Sequence, residues 1–248
     1  MLEHLGAVAQ HWPRALARAV LPCSCALCGE AAPEPVCAPC TRDHAGPGGP
    51  RCPRCANPLG AAELPGQACG ACLAAAPAFD ATIVAAEYAA PLDALVLGLK
   101  FGARLPLAPW FAQRMRDAVL MQPGWPLPEL LCPVPLGPRR LAERGFNQAL
   151  EIARPLALAI GAVLQPRLAQ RAVETAAQSG VAPRERARNI RGAFEVAPEM
   201  VHLLHGRHVG VVDDVMTSGH TLNELAATLK AAGAARVSNL VFARTPPY

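Results

Sequence analysis

An α/β fold on a parallel sheet, with a small N-terminal zinc-ribbon module, is predicted by three observations. From residue 78 onward, strand-like and helix-like apolar patterns alternate. Ahead of that, four Cys-x-x-Cys pairs crowd into residues 23–77. Near the end, Val209, Val211 and Val212 form a β-branched run that meets two carboxylates, Asp213 and Asp214, and then a small, hydroxyl-rich loop that feeds a helix. The 248 residues suffice for one sizeable domain and an appendage, and 52% apolar with 17% charged residues describes a globular chain.

Residues 1–22 read as an N-terminal helix. Leu2, Leu5, Val8, Trp12, Leu16 and Val20 make an amphipathic stripe, interrupted by His11, Arg14 and Arg18. No small-residue cleavage site precedes Cys23, so the segment reads as a docking helix rather than an export signal. No apolar run reaches the roughly 18 residues of a membrane span. The expected location is therefore the cytoplasm.

Residues 23–77 are the expected double zinc-ribbon module. The pairs are Cys25/Cys28, Cys37/Cys40, Cys52/Cys55 and Cys69/Cys72. Each pair turns two thiolates toward one tetrahedral centre, so eight thiolates fill two closed, structural zinc sites. Sequential pairing leaves loops of eight and thirteen residues, and cross-brace pairing also fits the spacing. Pro, Gly and Ala dominate here, so metal binding would itself be folding free energy. Disulfides would need an oxidising compartment that nothing in the sequence indicates. Cys23 reads as a spare thiol and Cys132 as a small core residue.

Residues 78–248 are the expected main domain. Strands are read at Thr82–Tyr88, Leu130–Val134, Ala162–Pro166, Val209–Val212 and Val237–Ala243. Helices are read at Leu92–Phe101, Leu107–Met121, 139–160 with a kink at Pro155, and 221–232 with Gly233 as its cap. Phe194–Val196 reads as one strand of a small hairpin. Residues 170–192 read as a long arginine-rich loop, and loops of that length are usually functional or disordered.

The stretch from Val211 to Thr221, VVDDVMTSGHT, carries the chemistry. A helix N-terminus presents unpaired N–H groups and a positive dipole, and Thr217, Ser218 and Thr221 add hydroxyl donors. The two aspartates have no cation beside them in the sequence, which is hard to justify on structural grounds alone. The reading is a phosphate in the loop and a diol on the carboxylates, hence a ribose 5-phosphate. Two further segments handle anions. After the strand ending at Val134, Arg139, Arg140 and Arg144 lie close enough to meet one polyanion, beside the turn Gly145-Phe146-Asn147-Gln148. The long loop carries Arg171, Thr175, Gln178, Arg184, Arg186, Arg188, Asn189 and Arg191. The net charge is only +4, so nucleic-acid binding through these groups is expected to be weak and salt-sensitive.

In chain order, the cysteine pairs, Ala78-Phe79-Asp80, Leu99-Lys100-Phe101-Gly102, Pro133-Val134-Pro135-Leu136, Arg144-Gly145-Phe146-Asn147-Gln148, Arg186-x-x-Asn189 and Asp213-Asp214-Val215-x-Thr217-Ser218-Gly219 resemble the ComF family. These are competence-associated, type I phosphoribosyltransferase-like proteins. The resemblance implies a parallel sheet flanked by helices and a ligand, phosphoribosyl pyrophosphate (PRPP), bound with Mg²⁺. It implies that Asp213 and Asp214 hold the ribose hydroxyls. Val215, Met216, Thr217, Ser218, Gly219, His220 and Thr221 would complete the PRPP loop, the last five around the 5′-phosphate. Pro135, Leu136 and Arg139 would form the pyrophosphate loop, with Arg144 beside it.

The resemblance further implies a bacterial cytoplasmic protein linked to DNA uptake in natural transformation, alongside other competence-machinery proteins. Single-stranded DNA is then a candidate partner, with Arg184, Arg186 and Arg188 as candidate contacts and Trp12, Phe101 or Trp110 as stacking faces where exposed. No general base or acceptor pocket is visible in the sequence. Three readings stay open: a transferase with an unidentified acceptor, a nucleic-acid-handling protein, and a PRPP sensor without transfer.

Overall fold

A computed structural model of the chain describes residues 23–46, 48–60, 66–172 and 192–246. The expected helix over residues 1–22 and the segment with Thr175, Gln178, Arg184, Arg186, Arg188, Asn189 and Arg191 lie outside the described residues. The chain divides into two compact units between Ala45 and Gly46.

The first unit is a knuckle and a helix. β1 (Cys23–Ser24) pairs antiparallel with β2 (Ala31–Ala32), and α1 (Ala38–His44) follows. Cys25 and Cys28 sit in the turn between the strands, and Cys37 stands at the N-cap of α1. The sheet alone is too small to fold on, as the composition suggests.

The second unit contains the remaining four ligand cysteines together with the sheet. After α2 (Gly70–Ala74) come β3 (Ala81–Glu87), α3 (Leu92–Phe101), α4 (Leu107–Leu120) and β4 (Leu130–Pro133). Next are α5 (Pro138–Arg144), α6 (Gln148–Ile160), β5 (Val163–Leu164), β6 (Ala169–Arg171) and β7 (Phe194–Val196). The chain ends with α7 (Val201–Leu204), β8 (His208–Met216), α8 (His220–Ala231) and β9 (Arg236–Arg244). The main sheet has the order β3-β9-β8-β4-β5, and every pair in it is parallel.

Parallel sheets bury both faces, which is why these strands read as near-continuous apolar runs. Val237 and Val241 of β9 join Leu222, Leu225, Ala226 and Leu229 of α8 in one core cluster. On the opposite face, Phe242 stacks on Phe111 of α4 with ring centroids 3.9 Å apart, and Trp110 tilts against both. Trp110 is thus a core residue and offers no stacking face. Phe242 is fully buried. Phe242→Ala should cost about 3–5 kcal/mol of stability through lost contacts and a residual cavity, measured by denaturant unfolding of the intact chain.

Two expectations change in detail. The expected helix over 139–160 is two helices, because Gly145 turns into the left-handed region at φ 79°. Asn147 then opens α6, its Oδ1 accepting from the N–H groups of Ala149 and Leu150. Helix α6 continues through Pro155 to Ile160. The partner of Phe194–Val196 is β6, in antiparallel register Arg171↔Phe194, so the two strands bracket the arginine-rich segment. Cys132 is fully buried on β4, as expected of a small core residue.

The Ala78-Phe79-Asp80 motif does structural work. The Asp80 carboxylate accepts from the Val237 N–H and from Lys230 Nζ, both at 2.8 Å, and so fixes the start of β9. The Ala78 N–H donates to Asn223 Oδ1 of α8 at 2.7 Å.

Candidate functional site

The site forms where the central strand outruns one neighbour. β4 pairs with β8 only as far as Pro133↔Val212, and the Val134 N–H adds one last bond to the Val212 carbonyl. The chain then leaves the sheet through Pro135. β9 continues beside β8 to Met216↔Arg244. Asp213 and Asp214 therefore lie inside the strand, not beyond its end, but on the side that β4 has vacated. This is the carboxyl end of a parallel sheet, where ligands of such folds gather.

A cavity of about 600 Å³ opens there. Asp213, Asp214, Val215 and Thr221 line it, as do Pro135, Leu136, Arg140 and Arg144. Lys100, Phe101, Glu143, Phe146, Gln148 and Arg171 complete most of the wall. Four cations face three carboxylates, a balance suited to a polyanion that brings its own divalent ion.

The sequence-predicted residues divide as follows. The pocket brings together Asp213, Asp214, Val215, Thr221, Pro135, Leu136 and Arg144. Arg139 is not in its lining: the side chain is 78% exposed, and its Nε donates to Glu143 one helical turn on, at 2.9 Å. Arg140, its neighbour, faces the cavity instead, because consecutive helical residues point about 100° apart. Met216 is buried, while Thr217 and Ser218 are exposed. Ser218 Oγ pairs with His220 Nδ1 at 3.0 Å, which gives His220 a local partner.

The loop has the form of an anion cradle. Gly219 stands at the N-cap of α8 with φ 79°, a conformation that strains any side chain, and a Cβ there would lie 2.5 Å from Met216 Cε. The first amide with a helical partner is that of Asn223, bonded to the Gly219 carbonyl at 2.8 Å. The amides before it are the unpartnered donors of a helix start.

Lys100 was missed as a site residue. Its Nζ lies 2.7 Å from Asp214 Oδ2, and Asp214 is 2% exposed. The absence of a neighbouring cation in the sequence is therefore corrected by the fold: α3 delivers one from more than a hundred residues away. A signal was present. Every other cation except Lys230 is arginine, and both lysines reach carboxylates. Burial pushes the Asp213 carboxyl well above its usual range, and the Asp214 charge adds to this, while Lys100 opposes it.

The side-chain amides expected to serve an anion are engaged structurally. Asn147 caps α6, and its Nδ2 donates to the Val134 carbonyl at 3.0 Å, which fixes the exit of β4. Gln148 Oε1 accepts from Arg144 Nη1. The Arg144 guanidinium also lies 5.3 Å from the centroid of the Phe101 ring, and that ring is 74% exposed.

The cysteines pair sequentially. In the sets Cys25/Cys28/Cys37/Cys40 and Cys52/Cys55/Cys69/Cys72, the four sulfurs lie within 4.8 Å of one another. A tetrahedral zinc with Zn–S near 2.3 Å separates its sulfurs by about 3.8 Å. Cys28–Cys37 at 3.8 Å and Cys55–Cys69 at 3.6 Å match this. Backbone amides point at the sulfurs: Cys37 N–H to Cys25 Sγ and Cys69 N–H to Cys52 Sγ, both at 3.3 Å. Burial alone would raise both thiols. Backbone amides outweigh it, those of Cys28, Cys37 and Leu27 bringing Cys25 down to about 6 and those of Cys55, Cys69 and Arg54 bringing Cys52 down to about 7. Both sets fit a structural zinc, and Cys23 is exposed outside them.

Known proteins share these parts. A phosphoribosyl transferase domain model matches residues 141–247, and a double zinc ribbon domain model matches residues 16–73. The DNA utilization protein YhgH of Salmonella typhi is 36% identical over 197 residues, 78% of this chain and 84% of that protein. Its counterpart in Escherichia coli K12 is 34% identical over the same shares. Competence protein F of Haemophilus influenzae is 31% identical over 188 residues, 74% of this chain and 80% of its own. No helix among the described residues is long and apolar enough to cross a membrane. With a parallel phosphoribosyltransferase-like sheet, two four-cysteine sets and relatives matched over most of their length, this chain belongs to the ComF family.

Proposed function

We propose that this chain binds PRPP with Mg²⁺ in the pocket at the carboxyl end of β8, as a cytoplasmic participant in DNA uptake or utilization. The observation that carries the ligand is a convergence. Two carboxylates suited to a diol, Thr221 on the first turn of a glycine-capped helix suited to a phosphate, and Lys100, Arg140, Arg144 and Arg171 suited to a pyrophosphate line one cavity. The DNA role rests on what its relatives are called, a DNA utilization protein and a competence protein, and eight metal-binding thiols fit a reducing compartment.

In this reading Asp213 and Asp214 accept the ribose hydroxyls, and Thr217 to Thr221 surround the 5′-phosphate. Lys100 is the resting counter-ion of Asp214 and turns to the ligand. Mg²⁺ travels with the pyrophosphate. It prefers hard oxygen donors, which PRPP supplies, whereas the protein's assembled ligand sets among the described residues are thiols. When bound it neutralises the leaving pyrophosphate. Titration calorimetry with Mg²⁺–PRPP tests the site, with ribose 5-phosphate and pyrophosphate as partial ligands. Binding of neither PRPP nor its fragments would sink the assignment. Pyrophosphate release in the presence of acceptors then separates a transferase from a sensor.

The pH dependence follows from Asp213. Its carboxyl titrates well above the usual range, so the free site holds a proton into higher pH. A diol needs the ionised carboxylate as acceptor. Affinity for Mg²⁺–PRPP should therefore rise with pH through that raised pKa, and binding below it should release a proton. Calorimetry in buffers of different ionisation enthalpy reads the proton directly. Proton uptake on binding, or none, would contradict this.

Single-stranded DNA is proposed as a second, weaker ligand, favoured by the exposed Phe101 ring beside Arg144. Affinity on the order of micromolar at low salt, lost steeply as salt rises, is expected from non-specific electrostatics. Charge reversal at Arg184, Arg186 and Arg188 should lower it in a gel shift. Failure of the unmodified protein to bind at low salt would assign the DNA contact to a partner in the competence machinery.

A further inference from the structure

The second cysteine set does more than hold its own knuckle together. Arg244, the last residue of β9, is 5% exposed, and its guanidinium lies between two segments far apart in sequence. Its Nε donates to the Cys55 carbonyl at 3.2 Å, and its Nη2 donates to Asn57 Oδ1. Both acceptors belong to the knuckle that supplies Cys52 and Cys55. From the other side, Nη1 donates to the Met216 carbonyl at 3.1 Å and to the Thr217 carbonyl, the first residues of the phosphate loop. Nη1 also reaches the Thr245 carbonyl at 2.7 Å. Five acceptors thus surround a planar fork of five donors.

All five acceptors are neutral. A buried cation without an opposing charge is costly, and among the described residues no carboxylate is bonded to Arg244. Four thiolates around one Zn²⁺ carry a net charge of about −2, and Cys55 belongs to that set. A loaded second site would therefore supply the missing counter-charge for Arg244. The knuckle is built firmly enough to transmit this. Ala56 lies at φ 56° and is 1% exposed, with its carbonyl held by Arg51 Nη1 at 2.9 Å. The Pro53 carbonyl accepts from Thr82 at the start of the edge strand β3, at 3.1 Å.

We propose that Arg244 is a positioning residue that couples the second zinc site to the phosphate loop, so that the loop is set for phosphate only when Cys52, Cys55, Cys69 and Cys72 hold their metal. The role of the loop rests on the PRPP reading above; the coupling itself does not. Without metal the knuckle and its charge are lost, Arg244 turns toward water, and the carbonyls of Met216 and Thr217 lose their shared clamp. The amides that follow them then lose their common direction.

The test uses the full chain and reads the loop without a ligand. Arg244→Gln keeps every zinc ligand. It should retain two zinc per chain by elemental analysis, yet exchange the amides of Thr217–Thr221 at least about tenfold faster by hydrogen–deuterium exchange, with helix α4 unchanged. Affinity for Mg²⁺–PRPP should fall by a similar factor. Arg244→Lys keeps the charge with a different donor geometry and should restore the loop only in part. In a Cys28→Ser/Cys40→Ser background, graded chelation of the remaining zinc should loosen the same amides before those of helix α4. Wild-type exchange in the loop of zinc-loaded Arg244→Gln would overturn the proposal, whatever chelation does to the fold. A loosened loop in a protein that never binds PRPP would keep the coupling and overturn the ligand.

Discussion

Asp213→Asn with Asp214→Asn is expected to weaken Mg²⁺–PRPP binding by about 100-fold or more. Each carboxylate should make at least one charge-assisted hydrogen bond to a ribose hydroxyl, and such bonds contribute about 1.5–3 kcal/mol each. Two of them amount to about 3–6 kcal/mol, and 1.4 kcal/mol is tenfold in affinity. The single variants separate function from architecture. Asp213 is held in the fold with its ionised form disfavoured, so its charge costs stability as pH rises through its raised pKa. Asp213→Asn removes that cost and should leave the free protein as stable or more so at alkaline pH, while still binding PRPP poorly. Asp214→Asn breaks a buried pair and leaves Lys100 facing an amide, so it should be destabilising. Were the two acids merely structural, both variants would unfold more easily and keep their affinity. Thermal unfolding and calorimetry on the same samples read the difference. A gain in stability paired with a loss of binding at Asp213 is the pattern of a residue kept for a ligand.

How far the sequence reached is clearest residue by residue. Helix α3, read as Leu92–Phe101, is found at those bounds, since its stripe Leu92, Leu95, Val96 and Leu99 is buried. The carboxylates and the loop were legible because they are local. Strand, acids and helix start follow each other directly, and chain order alone brings them to one sheet end. Lys100 was not legible, because its meeting with Asp214 depends on how α3 packs rather than on spacing. Arg139 was misplaced for a related reason: three arginines in six residues looked equivalent, but the turn of α5 sends Arg140 to the pocket and leaves Arg139 to Glu143. Asn147 carried a motif whose chemistry looked like anion binding and serves as a helix cap and a tie to β4. Sequential pairing of the cysteines needed coordinates, because both pairings satisfy the same loop lengths.

Loss of zinc should act unequally on the two units, and this is the largest stability effect expected of the chain. Protein purified without chelator should carry close to two zinc per chain. Cys28→Ser/Cys40→Ser should reduce this to one and unfold only the first unit, whose described residues include two strands of two residues and, as buried apolar side chains, Cys25, Ala32 and Val36. Cys55→Ser/Cys72→Ser should also reduce it to one, with a different consequence. Cys52, Cys55, Cys69 and Cys72 are all buried, and they lie in one apolar cluster with Phe79, Val84, Leu222 and Val241. Removing the metal leaves four polar sulfurs inside that cluster and deprives Arg244 of its counter-charge. Structural zinc binding contributes about 10–16 kcal/mol in small modules, as much as the whole stability of a typical domain, about 5–15 kcal/mol. The sheet should then lose its cooperative unfolding transition or fall sharply in Tm, where the first double variant leaves that transition in place. Near-ultraviolet circular dichroism reports on the sheet, because Trp110, Phe111 and Phe242 are packed together on it. Equal loss of that signal in both double variants would show that the two metals support one cooperative structure. Retention of the signal in both would show that the second zinc is an ornament on a core that folds without it.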